Sequence, residues 1–186
     1  MTINDFDISI LRLIHHHRIV ALDQVLYYIS YTTSFISIGL LLAILITSIK
    51  LKSKPLRVIF FKMLVVLIIA ATTSLTLKTL IIRDRPFKIY PDIEKLSEAG
   101  SSSFPSGHTL EAFAMAVAFS ILVLKRKYII PLLIWAFLVA YSRLALGVHY
   151  PGDVISGMLI GAFIGWLVTG LIGRFVESGI NNKANV

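Results

Sequence analysis

The sequence has no cysteine, which excludes disulfides, zinc–thiolate sites and a thiolate nucleophile. Charge is scarce as well. Asp, Glu, Lys and Arg make up 15% of the 186 residues, against about 25% in an ordinary soluble domain. Acids are scarcer than bases, 10 against 18, which leaves a formal charge of +8. That balance does not point to nucleic acid, because no basic stretch is interleaved with aromatics in a polar setting. The first ten residues carry Asp5 and Asp7 and no basic cluster, so no cleavable signal peptide is expected. No internal repeat and no low-complexity segment interrupts the chain.

What fills the sequence instead is apolar: 56% hydrophobic residues and a mean hydropathy of +0.83. This suggests a bilayer as solvent, since a membrane helix needs about 20 largely apolar residues. Five such runs are legible. They are Val25 to Ile49, Val58 to Leu77, Gly107 to Leu124, Tyr128 to Arg143, and Val154 to Gly173. Lys62 lies near enough to the start of the second to snorkel. Residues 1–24 mix Ile8, Leu11 and Leu13 with Asp7, Arg12 and His15-His16-His17, too polar to span and suited to an interfacial amphipathic helix. The histidine run reads as one face of that helix rather than as a metal site. The fold expected is all-α: one domain over 1–186, a polytopic bundle of about five spans behind an interfacial segment.

Charge also orients the bundle. Lys50, Lys52, Lys54 and Arg57 follow span one, Lys125-Arg126-Lys127 follow span three, and Arg174 and Lys183 follow span five. Glu177 is the one acid on that side. The positive-inside rule makes it cytoplasmic. The long polar stretch 78–106 and the turn 143–153 then face outward. Gly157, Gly161 and Gly165 recur every four residues on span five, a smooth face for close packing within the monomer.

Three polar clusters fall on the outward side. The first runs from Lys78 to Arg83-Asp84-Arg85-Pro86. The second is Pro105-Ser106-Gly107-His108. The third runs from Ser142-Arg143 to His149-Tyr150-Pro151-Gly152-Asp153. A phosphate ester needs fixed cations and N–H donors. Lys78, Arg85 and Arg143 supply charge, and an Arg can grip two oxygens together. Ser106-Gly107-His108 stands where a loop enters a helix, and a helix N-terminus offers free N–H groups to an anion. His108 and His149 come from different helices and can serve as nucleophile or general acid. Asp153, four residues after His149, could bond one ring nitrogen and leave the other free to attack. Each cluster alone has an ordinary structural explanation. Ionisable residues converging at membrane depth do not.

Taken together, these clusters resemble the type 2 phosphatidic acid phosphatase family, the lipid phosphate phosphatases. Its signature is Lys-x6-Arg-Pro, then Pro-Ser-Gly-His, then Ser-Arg-x5-His-x3-Asp, and every fixed position is matched in order across residues 78–153. The resemblance implies roles. Lys78, Arg85 and Arg143 would bind phosphate, helped by Ser106 and the Gly107 amide. His149 would attack phosphorus, with Asp153 orienting it. His108 would protonate the leaving oxygen and then activate water. It also implies no cofactor and no metal, sensitivity to vanadate, and lipid phosphates and membrane lipids as partners, with the oligomeric state open.

The expected activity is a phosphatase of the bacterial inner membrane acting from the exterior face, with undecaprenyl diphosphate as substrate. The alternatives are lipid A, phosphatidylglycerophosphate or phosphatidate as substrate, a lipid phosphotransferase using the same phosphohistidine, and a non-catalytic lipid-binding scaffold. Glu111 lies outside the signature. It sits one turn past His108, where it could tune that ring or exclude a wrong head group. The loop 87–104 is expected to cover the site, with Phe87, Tyr90 and Phe104 near a head-group entry.

Overall fold

A computed structural model describes residues 3–100, 102–123 and 126–184. The basic helix ends expected at Lys125 and Arg174 involve a residue and a side chain outside that description. Eight α-helices follow one another among the described residues. They are α1 (Ile3–His16), α2 (Asp23–Tyr31), α3 (Thr33–Lys50), α4 (Lys54–Leu80), the single turn α5 (Pro86–Ile89), α6 (Gly107–Val123), α7 (Arg126–Ala145) and α8 (Pro151–Ala184).

Four of them, α3, α4, α7 and α8, are long and apolar enough to cross a membrane, and α6 is a shorter apolar helix. By length and composition these helices suit an integral membrane protein. Rows of large apolar side chains point away from the protein, among them Phe35, Leu42 and Ile49 on α3 and Ile155, Leu159 and Phe163 on α8. In water such rows would be a liability; against lipid tails they are solvated.

The first span departs from the sequence reading. An unbroken helix was expected from Val25 to Ile49, but it breaks at Thr32, where ψ is 1°. The Thr32 and Thr33 hydroxyls turn back onto the carbonyls of Tyr28 and Ser30, each at 2.7 Å. Such back-bonding competes with the helical ladder. Hydropathy does not register it, because threonine carries no charge. Freed from the span, α2 packs Leu26 against Leu146 and Val148.

α6 is the axle of the bundle, in contact with α3, α4, α7 and α8. Its residues Ala112, Ala114, Ala116 and Ala118 are all fully buried, and their small side chains admit neighbours from every side. The glycine face of α8 lies on α6, as the sequence suggested. A Cβ at Gly157 would stand 2.7 Å from the Ser106 carbonyl oxygen, one at Gly165 would stand 2.6 Å from that of Ala114, and one at Gly161 would strike that of Leu110. Without a hydrophobic driving force between lipid-bathed helices, this backbone approach is what lets dispersion hold them together.

The helix expected over 1–24 is real but ends at His16. Its apolar stripe is largely buried in protein: Ile8 and Leu11 pack on Ile93 and Tyr150, while Phe6 and Leu13 stay exposed. Arg12 pins it to Asp92 at 2.7 Å. The three histidines take three different partners. His15 is buried, its Nε2 accepting the Glu94 N–H at 3.1 Å and its Nδ1 facing the Ala145 carbonyl at 2.8 Å. His16 reaches the Asp92 carbonyl, and His17 the Leu13 carbonyl. Lys62 is buried rather than reaching solvent along its stem. The helices α1 and α2, the loop 81–106 and the turn 146–150 thus gather at one end of the bundle.

Candidate active site

At that end the helix termini converge. Lys78 closes the last turn of α4. Gly107 and His108 open α6. Arg143 lies in the last turn of α7, and Asp153 in the first turn of α8. His149 sits in the intervening turn, whose shape depends on Gly147. That residue has φ +70°, and a side chain there would run into the Glu94 carbonyl.

Loop 81–106 is stitched down over these ends. Ser103 N–H donates to the Arg83 carbonyl at 2.8 Å, and Ser106 N–H to the Asp153 carbonyl at 3.0 Å. The second bond joins the starts of α6 and α8. The Ser106 hydroxyl lies 2.8 Å from that of Thr109 and is fully buried.

A cavity of about 470 Å³ lies below the loop, lined by Lys78, Arg85, Gly107, His108, Arg143 and His149. Six of the sequence-predicted residues therefore share one wall system, and Glu111 shares it too. Ser106 and Asp153 stand behind that wall. Glu98, Ala99 and Gly100 of the loop close one side, as expected of a covering segment, while Ala70, Ala71 and Leu75 of α4 make another side apolar. Phe87, Tyr90 and Phe104 are not among the lining residues. Phe87 and Tyr90 pack with the α1 cluster instead, so the head-group entry proposed for them is not where these side chains lie.

The cations are held in place before any ligand arrives. Lys78 Nζ donates to the carbonyls of Ser102 and Pro105 at 3.0 and 2.9 Å. Arg85 donates to the carbonyls of Gly100, Val148 and Ser102 at 2.8–3.0 Å, and directs one N–H at His149 Nε2 from 3.2 Å. Arg143 bonds Ser30 Oγ, Ser97 Oγ and the Glu98 carbonyl. Its Nε is buried with no partner. An unpaired guanidinium N–H in a buried wall costs stability unless something accepts from it, and the cavity is where an acceptor can come.

His149 is buried between opposed groups. Its Nδ1 lies 3.6 Å from Asp153 Oδ2 and 3.5 Å from Ser103 Oγ. Burial lowers its proton affinity most, with Arg143 and Arg85 acting in the same direction, while the Asp153 carboxylate opposes them. The ring is therefore neutral at neutral pH. With Asp153 at Nδ1 and an Arg85 N–H at Nε2, the proton belongs on Nδ1 and the lone pair on Nε2.

Asp153 is fully buried, and it is more heavily partnered than its spacing from His149 indicates. Oδ2 accepts from Ser103 Oγ and from the Tyr150 N–H at 3.1 Å. Oδ1 accepts from Arg83 at 2.6 Å. Ser103 and Arg83 were not singled out from sequence. Ser103 was visible as part of a serine run, and Arg83 stood in the first cluster without a role.

The chain shares 30% identity over 164 residues with an undecaprenyl-diphosphatase of Sulfolobus acidocaldarius, covering 87% of this chain and 76% of that protein. A lipid A 4′-phosphatase of Bacteroides thetaiotaomicron is 46% identical over 68 residues, a stretch covering 37% of this chain and only 30% of that longer protein. The fold matches the crystal structure of a transmembrane PAP2-type phosphatidylglycerolphosphate phosphatase from Bacillus subtilis with a TM-score of 0.77 at 26% identity, over 92% of this chain and 87% of the other. The PAP2 superfamily model matches residues 59–177, a stretch that holds all three polar clusters, and on these grounds the chain belongs to the PAP2 superfamily.

Proposed function

We propose that the chain is a membrane lipid phosphatase that releases phosphate through a phosphohistidine on His149. The carrying observation is the setting of that ring: neutral, with Asp153 behind Nδ1 and an Arg85 N–H at Nε2, on a cavity that Lys78 and Arg143 also line. A phosphoryl group placed there would take the Arg85 N–H now spent on His149 and the free Arg143 N–H. Lys78 and the Gly107 amide at the start of α6 complete the cradle.

The steps balance on these residues. The Nε2 lone pair forms the N–P bond as the bond from phosphorus to the leaving oxygen breaks, and His108 gives that oxygen a proton. Positive charge left on the His149 ring is offset by Asp153 at Nδ1–H. Water then attacks phosphorus, His108 takes its proton, the N–P bond breaks and His149 is regenerated. No step calls for a metal.

The apolar wall of Ala70, Ala71 and Leu75 suits a lipid chain leaving the head group toward the bilayer. Undecaprenyl diphosphate is the substrate we favour, because the relative of that name matches nearly the whole chain. Lipid A 4′-phosphate is the second reading, favoured by the higher local identity. The basic residues of the other loops, read by the positive-inside rule, support a site facing the exterior of a bacterial inner membrane.

The test is phosphate release by purified protein in detergent with EDTA. The panel is undecaprenyl diphosphate, lipid A, phosphatidylglycerophosphate and phosphatidate, with His149→Ala alongside. Release from one lipid, abolished in the variant and by millimolar vanadate, is the expected result. A phosphorylated acceptor lipid in place of free phosphate would mark a transferase. Release that survives in His149→Ala overturns the proposal.

A further inference from the structure

The catalytic carboxylate is tied to the N-terminal helix through one arginine. Arg83 Nη1 donates to Asp153 Oδ1 at 2.6 Å, and its Nη2 donates to Asp7 Oδ2, also at 2.6 Å. The other Asp7 oxygen accepts the Gly152 N–H at 2.7 Å. Asp7 is 6% exposed and Asp153 0%, and the Arg83 guanidinium lies 4.0 Å over the Tyr150 ring. In the chain Asp153–Arg83–Asp7 both negative ends are thus buried, while the positive centre keeps 25% of its side chain exposed.

Two physical consequences follow. Arg83 alone would neutralise Asp153 and weaken the support that carboxylate gives to positive charge on His149. Asp7 compensates Arg83, so the trio keeps a net negative charge behind the ring. Asp7 also accepts from the first free N–H of α8, the helix whose first turn carries Asp153. A residue on α1 therefore fixes both the charge and the starting point of the element that orients His149.

We propose that Asp7 and Arg83 are positioning residues for the reaction, so that seating of α1 sets the working geometry of the His149–Asp153 pair. This rests on the reading of that pair given under Proposed function. Neither residue lines the catalytic cavity, so their influence falls on turnover rather than on substrate binding.

Asp7→Asn is the informative variant, because its side-chain oxygen still caps Gly152 while its charge is gone. Phosphate release is measured for wild type, Asp7→Asn, Asp7→Glu, Asp153→Asn and the Asp7→Asn/Asp153→Asn double variant, with His149→Ala as the blank and thermal melting as the folding control. The expected result is kcat lowered about tenfold in Asp7→Asn with KM within twofold, and partial recovery in Asp7→Glu. In the Asp153→Asn background, Asp7→Asn should change nothing further. Equal losses in both backgrounds, or kcat within twofold of wild type, overturn the inference while leaving the phosphatase reading intact. A wild type no faster than His149→Ala overturns both.

Discussion

Arg85 holds one N–H 3.2 Å from His149 Nε2, while the carbonyls of Gly100, Val148 and Ser102 fix the rest of its guanidinium. Cation and nucleophile are therefore in register before substrate arrives. Replacement by lysine keeps the charge but offers one nitrogen where three now act. Arg85→Lys should lower kcat/KM by roughly 10²–10³-fold, the scale of losing one fixed donor to a developing oxyanion. Lys78 cannot compensate, because the carbonyls of Ser102 and Pro105 take two of its three N–H donors. Steady-state phosphate release beside a melting curve decides it; activity within threefold of wild type, with an unchanged melt, contradicts the role.

Glu111 offers one oxygen to Ser34 at 2.8 Å, and its other oxygen is buried in the cavity wall without a partner. A carboxylate in that wall repels extra negative charge, a penalty that Lys78, Arg85 and Arg143 must outweigh for a diphosphate substrate. Glu111→Gln should lower KM for a diphosphate lipid relative to a monophosphate lipid by about fivefold, near 1 kcal/mol. Comparing kcat/KM for the two lipids across wild type and variant tests this. An unaltered ratio would assign Glu111 to the Ser34 contact alone.

The α6–α8 seam makes a prediction about stability rather than rate. Gly161→Ala places a methyl group against the Leu110 carbonyl, whereas a Cβ at Gly39 on α3 meets nothing within 4 Å. The first should cost roughly 1–3 kcal/mol as an overpacked contact. The second should be neutral or stabilising by about 0.5–1 kcal/mol. Thermal unfolding in one detergent gives both values, and equal melting temperatures for the two variants would contradict the packing argument.

His15 makes the seating of α1 pH-dependent. Both ring nitrogens are engaged, Nε2 as an acceptor for the Glu94 N–H. Burial holds its pKa below the ordinary histidine value of 6.5, against the pull of the Ala145 carbonyl. The undocked helix therefore binds more protons, so docking is strongest above pH 6.5 and is lost as pH falls from there through the docked value. Hydrogen exchange of the α1 amides should accelerate between about pH 8 and about pH 5 beyond the intrinsic change. His15→Gln should abolish that excess, and an identical excess in the variant would place the switch elsewhere.

Spacing within the three clusters singled out Lys78, Arg85, His108, Arg143 and His149, and the helix ends and turn that carry them bring all five to one cavity wall. The membrane bundle was legible too, since hydropathy reports the solvent directly. The break at Thr32 was not, because hydroxyl back-bonding has no hydropathic signature. Ser103 and Asp7 were hidden for a different reason. Ser103 meets Asp153 across 50 residues of sequence and Asp7 meets Arg83 across 76, and local pattern carries no information about such contacts. Phe87 and Tyr90 illustrate the converse error: aromatics beside a polar cluster read as an entry, yet they serve to seat α1.

The glycine face of α8 has one more consequence. His108 heads α6, and His149 and Asp153 flank the start of α8, so the gap between the two histidines is set where two backbones touch. Side chains facing lipid have no part in that measurement. Ala70, Ala71 and Leu75 lie on α4, outside the seam. A chain built this way can recarve the apolar side of its cavity, residue by residue, with the spacing of the two histidines held constant like the jaws of a caliper.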